Sequence, residues 1–375
     1  MQSRTRLWVV AGLGLLGLLS LAAAGILKWA VVPGAAKLPS DENTTRQYSG
    51  SAKVLLNPQA LSTGDLSTVL LANVPVTATR NVKTLATSGG VAQVQDTRTL
   101  STANGQPIGT TQATYAVDRK TLEATSDHPS DWQVTAAKGL TVSFPIGAER
   151  QNYTGWVPET QTTTTLKFLR QETKQGLTTY VYQASTQPAP ITDPQVLSAL
   201  PPALPGSALQ ALSSLLSLPP AVTALLPQLT QPVPVTYTYQ VNSTYWVEPT
   251  TGLVVDTQRE DIRAASLSVA GQTIVSGFRV FDVTTAFTSA SVANAANDAM
   301  DKKNTIDLYS YTVPLLLLMF GILVLIATAL VFWLSRSSPH PPSADTTPPS
   351  ADTTPPDADT TPPDSNTAPP AAAAG

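Results

Sequence analysis

Two long apolar stretches, one near each end of the chain, dominate its pattern of hydrophobic and polar positions. The first covers residues 7–32 and contains a single charged residue, Lys28. The second covers residues 311–334 and contains no Asp, Glu, Lys or Arg. As a helix, each stretch is long enough to cross the roughly 30 Å hydrocarbon core of a bilayer. The pattern therefore predicts two transmembrane helices, at 7–32 and 311–334, with the lipid bilayer as a partner.

The basic residues around the first stretch predict how the chain is oriented in a membrane. Arg4 and Arg6 lie in the short segment 1–6, and positive residues favour the cytoplasmic side. Two spans then return the C-terminus to the cytoplasm and leave the central domain outside the plasma membrane. Residues 22–25 resemble the cleavage site of a signal peptide, which is the alternative interpretation. Because the apolar run continues to Val32, an uncleaved anchor is favoured.

Residues 33–310 show mainly the alternation that is typical of β-strands. Thr-, Val- and Tyr-rich stretches are separated by dipeptides that favour hairpin turns, such as Asn104-Gly105 and Gln175-Gly176. The predicted strands are a run from Val74 to Ala86 and the segments Val91–Thr102, Gln112–Asp118, Thr162–Gln171, Leu177–Ala184, Val233–Val241, Leu253–Ala264 and Gln272–Thr285. Thr, Gln, Arg and Asp are expected on the strand faces away from Val and Leu, as in a water-soluble domain.

The predicted fold class is thus a mainly β membrane protein. It has an antiparallel β-rich extracytoplasmic domain, a short helical hairpin inserted in that domain, and two flanking transmembrane α-helices. Long amphipathic helices do not alternate with the strands, which argues against a parallel α/β fold. Helical spacing between Ser291 and about Lys303 predicts one further short helix, leading into the second span.

The predicted hairpin insert, residues 194–231, contains no charged residue. Its leucines recur at helical spacing, and Pro219-Pro220 divides the pattern into two short helices, both too short to span a membrane. Three interpretations are open: a cap on the β core, a lid or wall for an apolar ligand, and a surface that contacts membrane or a partner. The residues of this candidate apolar ligand or lid surface are Leu209, Leu212, Leu215, Leu216, Val222, Leu225 and Leu226.

The last segment, residues 335–375, contains four related seven-residue units that end in Pro-Pro. Proline at that frequency prevents a continuous helix, so the sequence predicts a disordered tail with extended, polyproline-like character. A solvated tail is the simplest interpretation. A phosphorylation or docking platform at its Thr-Pro sites is the alternative.

Composition and motifs give no indication of an enzyme. The net charge of −3 provides no basic field for nucleic acid. The chain has no cysteine, and its two histidines, His128 and His340, are far apart in the sequence. Nucleophile-elbow, phosphate-loop and zinc-helix motifs are absent from the sequence. We predict no catalytic residue, no metal site and no cofactor, and the sequence leaves the oligomeric state open.

Several short phrases, taken in order, resemble an actinobacterial membrane-protein family known as PorA-type porins, a domain of unknown function. They are Tyr115–Arg119, Phe144–Gly147, Tyr153–Trp156, Tyr245–Gly252 and Val254–Asp256, together with the two terminal helices. The resemblance implies pore formation. A helix at each end of a β-rich domain is also architecturally similar to scavenger receptors of the CD-thirty-six kind, which resemble lipid carriers with an internal tunnel.

These observations lead to one functional prediction and two alternatives. We expect a non-enzymatic protein of the cell envelope, anchored in the plasma membrane, whose outer domain binds a lipid or another envelope component. The first alternative is a pore or a component of lipid transport. The second is a structural or signalling anchor that acts through its repeated tail.

Overall fold

The computed structural model describes most of the chain between residues 2 and 336. The ranges are 2–32, 36–57, 60, 65, 68–213, 216–218, 220–229, 231–269 and 271–336. The predictions for Leu215 and for the tail beyond residue 336 lie outside them, as does the side chain of Leu225.

Twelve strands form one antiparallel sheet in the order β4-β3-β2-β1-β12-β11-β10-β7-β6-β5, and two short strands, β8 and β9, also pair with β10. The strands are β1 (Asn43–Leu56), β2 (Leu70–Ser88), β3 (Val91–Thr102), β4 (Pro107–Asp118), β5 (Tyr153–Val157), β6 (Thr162–Lys174), β7 (Leu177–Ser185), β8 (Ala189–Pro190), β9 (Ala203–Leu204), β10 (Val233–Val247), β11 (Val254–Val269) and β12 (Gln272–Phe287). The prediction of an antiparallel, mainly β domain is confirmed.

The predicted strands agree with this sheet where apolar residues alternate with polar ones. β3 has the predicted bounds, whereas β10, β11 and β12 extend beyond theirs. β1 and β5 were not predicted. The inward positions of β1 include Thr44, Arg46 and Tyr48, so this strand carries little of the hydrophobic alternation that marks a half-buried strand.

The sheet curls into a half-barrel whose two edge strands are bridged by the chain between them. Val117 of β4 pairs with Ala124, Glu123 pairs with Leu140, and Leu140 pairs with Gly155 of β5. One apolar cluster contains residues from both ends of the strand order. The concave side is therefore an interior, which we call the inner face.

A side chain covers another part of the exposed edge of β4. Gln195 belongs to helix α2 (Pro194–Ser198), whose first turn is capped by the carboxylate of Asp193. The Gln195 amide donates to the Gln112 carbonyl at 2.9 Å and accepts from the Gln112 N–H at 3.1 Å. These two bonds replace a missing strand neighbour, which protects the edge from pairing with another chain.

The remaining helices form the insert and the two terminal segments. They are α1 (Gln2–Ile26), α3 (Gly206–Ala211), α4 (Pro220–Leu225), α5 (Ser289–Asp307) and α6 (Val313–Arg336). A π-helical turn, Leu308–Thr312, joins α5 to α6, and another, Leu27–Val31, follows α1. The short helix predicted at 291–303 and the predicted second span are thus one continuous helical stretch.

Both terminal helices are long and apolar enough to cross a bilayer. The two segments are Trp8–Val31 and Ser289–Leu334, and the most apolar window of the second is only 6% buried. The core helix of a soluble protein would be mostly buried, so the exposed apolar surfaces make both segments candidate membrane spans.

The helices α1 and α6 pack on each other, antiparallel, through small residues. A Cβ added at Gly17 would lie 3.1 Å from the Gly321 carbonyl oxygen, and one added at Gly321 would lie 2.9 Å from the Gly17 carbonyl oxygen. The Ser20 hydroxyl donates to the Leu317 carbonyl at 2.9 Å. Small residues let helix backbones approach closely in lipid, where the hydrophobic effect does not drive helix association.

We predict that Gly17→Leu separates α1 from α6, because the new side chain has no room against Leu325 and the Gly321 backbone. Disulfide cross-linking between introduced cysteines measures how close the two helices are, since the natural chain has no cysteine. Gly14→Cys with Thr328→Cys should form a disulfide, because the Cβ of residue 14 would lie 3.7 Å from the Thr328 methyl. Gly17→Leu should reduce its yield several-fold. The control is Gly12→Leu, which meets nothing within 4 Å and should leave the yield unchanged.

Candidate functional site

The leucines of the insert pack on the ends of β10, β11 and β12. Leu209 and Leu226 are fully buried in a cluster with Val233, Leu267 and Val275. The α3 helix can approach this closely because Gly206, at its start, lies against the Leu226 backbone. These contacts are those of a cap on the sheet.

Leu212 and Leu216 contact the chain that leads into β2. Leu212 is buried with Ala60 and Val69, and Leu216 and Val222 are half-buried. Leu212 and Leu216 also line an apolar cavity of about 40 Å³ between the insert and the strands. That volume is close to the roughly 30 Å³ that one molecule occupies in liquid water. Among the described residues of the candidate ligand or lid surface, Leu212 and Leu216 line this cavity, and Leu209 and Leu226 pack in the cluster beside it.

A group of ionised side chains lies on the inner face, in the middle of the sheet. Asp96 of β3 receives two hydrogen bonds from Arg80 of β2, both at 2.9 Å, and one from Arg98 at 2.9 Å. Asp96 and Arg98 share the strand face of Val94, which is fully buried. The expectation that Arg and Asp point away from the valines is therefore wrong for this strand.

Burial raises the pKa of Asp96, but the charges of Arg80 and Arg98 and their hydrogen bonds outweigh burial, so this pKa lies well below its usual range. Arg98 keeps about a third of its side-chain exposure, 32%, and Arg80 keeps 21%. Water therefore reaches the inner face at this level. We call Arg80, Asp96 and Arg98, together with Arg259, Asp261 and Glu159, the ionic layer.

The second half of the ionic layer comes from the other side of the half-barrel. Arg259 donates to the Asp261 carboxylate at 2.9 Å and to the Tyr239 hydroxyl at 2.7 Å. The Tyr239 hydroxyl in turn donates to Asp261. Glu159 lies in the turn between β5 and β6, and its Oε1 atom is 3.7 Å from Nη2 of Arg259. Its charge and that of Arg259 both act on Arg98, so the two halves are electrostatically coupled.

Apolar residues lie on either side of the ionic layer along the strands. On one side, Phe144 and Tyr182 stack with ring centroids 4.6 Å apart. On the other side, Val76 and Phe281 belong to a second buried cluster. Arg263 lies at this boundary, 4.5 Å above the Phe281 ring, where a cation–π contact stabilises it. The ionic layer thus lies between two apolar levels of the interior.

A polar cleft opens in the wall of the half-barrel beside Tyr239. β6 pairs with β7 only from the Lys167–Gln183 pair onward, and the chain after Ser185 turns away to pair with β10 as β8. The gap has a volume of about 400 Å³ and is lined mainly by threonines. We call it the threonine cleft. The sequence does not predict this cleft, because it indicates only that residues 162–165 belong to the strand Thr162–Gln171.

Potential metal ligands do not cluster in the described part of the chain: no group of three or more His, Asp or Glu side chains there could hold a metal ion. His128 lies in a loop, where its Nδ1 is 2.9 Å from the Pro129 carbonyl and its ring stacks on Trp132. His340 lies outside the described residues. The chemistry that these residues support is binding by hydrogen bonds and charge.

We predict that Asp96→Asn lowers the free energy of unfolding by about 3 kcal/mol, because it leaves two arginines on the inner face without their counter-charge. Denaturant unfolding of the full chain in detergent measures the change. Asp131→Asn is the matched control, because Asp131 is exposed and a surface substitution of this kind stays within about 0.5 kcal/mol.

The pH dependence separates this effect from a general loss of packing. The pKa of Asp96 is lowered in the folded state, so its contribution is complete above an unfolded-state pKa of about 4 and is lost as the pH falls through the folded-state value. The difference between wild type and Asp96→Asn should therefore shrink as the pH falls from about 5 to 3. A constant difference would contradict the pairing.

Two of the solved structures that are similar to this chain are enzymes of low sequence identity. A MaoC-like dehydratase is 10% identical, with 72% of this chain and 82% of that chain covered and a TM-score of 0.13. An acyl-CoA thioesterase II, TesB2 from Mycobacterium marinum, is 13% identical, with 65% and 79% covered and a TM-score of 0.11. Such scores carry no argument about fold or activity. No curated protein matches the chain.

A protein-family comparison covers most of the chain. Residues 11–330 match the family described as Porin PorA. The match includes both terminal helices, the whole sheet and the insert, and it ends before the repeated tail. It confirms the resemblance drawn from the phrases at Tyr115–Arg119 and Tyr245–Gly252. The chain belongs to the Porin PorA family.

Proposed function

We propose that this protein is a non-enzymatic component of the cell envelope. Its two spans hold it in the plasma membrane, and its half-barrel lies outside the cytoplasm and binds a component of the envelope. The observation that carries the proposal is the polarity of the outer face of the sheet. That face is hydrophilic, whereas the terminal helices are apolar on their exposed surfaces.

The outer face of β1 and β2 consists mainly of polar and charged side chains, with Pro75 and Leu85 exposed among them. Ser49, Ser51 and Lys53 are exposed on β1, and Thr77 and Thr79 are exposed on β2. A barrel that spans a membrane with its strands needs an outward apolar band about 25 Å tall. The polar face instead suits water, so we assign membrane contact to the helices and ligand contact to the half-barrel.

Aromatic and basic residues support a membrane boundary at the π-helical turns. Lys28 lies 5.6 Å from the Trp29 ring centroid and 5.8 Å from that of Tyr311. Aromatic rings favour the interface between lipid and water, and a lysine there can extend its charge into the water. This placement puts the β domain directly above the bilayer surface.

The ionic layer favours a second candidate function, a hydrophilic path through the half-barrel. Charged side chains line the interior of water-filled porins. Here, however, the layer lies between the apolar levels at Phe144 and Phe281, which interrupt such a path within one chain. We therefore favour binding, and planar-bilayer recordings distinguish the two functions. Conductance steps that change with Arg98→Glu would establish the pore instead.

We predict the sidedness of the protein from this assignment. Because the chain has no cysteine, single substitutions can be labelled on intact cells with a membrane-impermeant maleimide. Thr79→Cys, on the exposed outer face of β2, should react in intact cells. Ser350→Cys, in the tail, should react only after the membrane is permeabilised. The reverse pattern would overturn the proposed orientation, and reaction at both positions would show a mixed population.

A further inference from the structure

The threonine cleft has a continuous polar lining. Nine of its ten lining residues carry a hydroxyl or an amide group. Residues 162–165, all threonine, form one wall, and Ser185, Thr186 and Gln187 form the other. No ionised side chain is among the residues that line it. The volume of about 400 Å³ lies within the range of about 300–1,000 Å³ that is typical of small-molecule sites.

The cleft exists because the sheet separates at this point. Over Thr162–Leu166 one edge of β6 pairs with β5, while within the described chain the other edge pairs with β7 only beyond that stretch. Thr186 cannot close the gap, because its N–H donates to the Val241 carbonyl and its hydroxyl accepts from the Val241 N–H. Hydroxyl groups and backbone polar groups of β6 therefore face open space.

Tyr239 connects the cleft to the ionic layer. Its side chain is buried, with 1% exposure, and its hydroxyl is held between Arg259 and Asp261, so it forms a fixed part of the cleft wall. Burial raises the pKa of Tyr239 well above its usual value, so the phenol stays neutral. The charges of Arg259 and Asp261 act on the ring from behind without lining the cleft themselves.

The lining determines the class of ligand. The wall has no cationic side chain to balance the charge of an anion, and it has little apolar surface for an apolar ligand. Closely spaced hydroxyl, amide and backbone groups beside a fixed tyrosine ring match a ligand that carries many neutral hydroxyl groups. Such a ligand exchanges its hydrogen bonds with water for bonds to the wall.

We propose that the threonine cleft binds a neutral carbohydrate, a glycan segment of the cell envelope. This inference rests on the proposed function, in which the half-barrel binds an envelope component, and it specifies that component's class and site. A glycan strand could enter from the outer side of the half-barrel, because Thr163 and Thr165 are exposed there.

The test uses the full-length protein in detergent micelles on an array of neutral and acidic oligosaccharides. We expect binding to neutral members, and we expect the double variant Thr163→Val, Thr165→Val to weaken it at least tenfold. Valine keeps the branched shape that suits a strand, so the substitution removes hydroxyls without altering the fold. Gln187→Trp, at an exposed position, should also abolish binding by filling the cleft.

Matched controls exclude a loss of folding or a surface effect. Thr79→Val removes an exposed hydroxyl on the outer face of β2, away from the cleft, and should leave binding unchanged. All variants should keep the wild-type melting temperature within about 2 °C. Absence of neutral glycan binding, equal binding by the cleft variants, or binding of acidic glycans alone would overturn the proposal.

Two further outcomes keep this inference separate from the proposed function. An extended peptide could pair with the open edge of β6, so specific retention of peptides but not glycans would replace the glycan with a peptide ligand. Failure on the array together with correct cysteine labelling would reject the glycan site and leave the envelope location intact. A reversed labelling pattern would reject the location whatever the array shows.

Discussion

The ion pairing of Asp96 with Arg80 and Arg98 is the interaction on which the half-barrel depends. Charges on an inner face are costly unless each has a partner in good geometry, and here β2 and β3 must be in register for Arg80 to meet Asp96. A shift of β3 by one residue would move Asp96 to the outer face and leave Arg80 without its partner. The ionic layer therefore helps to specify one register for β2 and β3.

The sequence was sufficient to predict the elements whose pattern has only one physical explanation. The predicted bounds of β3 are the observed ones, because this segment is rich in valine and threonine. The Gln175-Gly176 dipeptide predicts the turn between β6 and β7, where Gly176 has a positive φ of 77°. The terminal helices were evident from length and hydrophobicity alone. β1 was missed because a strand that turns Arg46 and Tyr48 inward has the composition of a solvated loop.

The candidate site could not be predicted for a related reason. An arginine such as Arg98 in an alternating strand indicates a solvated face unless the partner carboxylate is known, and Arg259 and Glu159 meet it only after the sheet has curled. The threonine cleft depends on where β6 and β7 separate, which is set by the hydrogen bonds of Thr186 to β10 and leaves no mark in the local pattern. The sequence identifies the leucines of the insert as a group. The facing strands, however, decide whether these leucines pack as a cap on the sheet or cover a cavity.

The connection between domain and membrane limits how the threonine cleft can be presented. The helix α5 continues through one π-helical turn into α6, and it is fastened to β1 and the preceding residues by two ion pairs, Arg46 with Asp298 at 2.6 Å and Lys302 with Glu42 at 2.9 Å. Both pairs are partly exposed, so each contributes little alone. The Ser291 hydroxyl also accepts from the Gln47 N–H at 2.8 Å. Together these contacts oppose rotation of the half-barrel about the helix. A site in the wall of the half-barrel is therefore held at one height and one orientation relative to α6. In the proposed membrane location, this geometry suits a ligand that is itself fixed in the envelope.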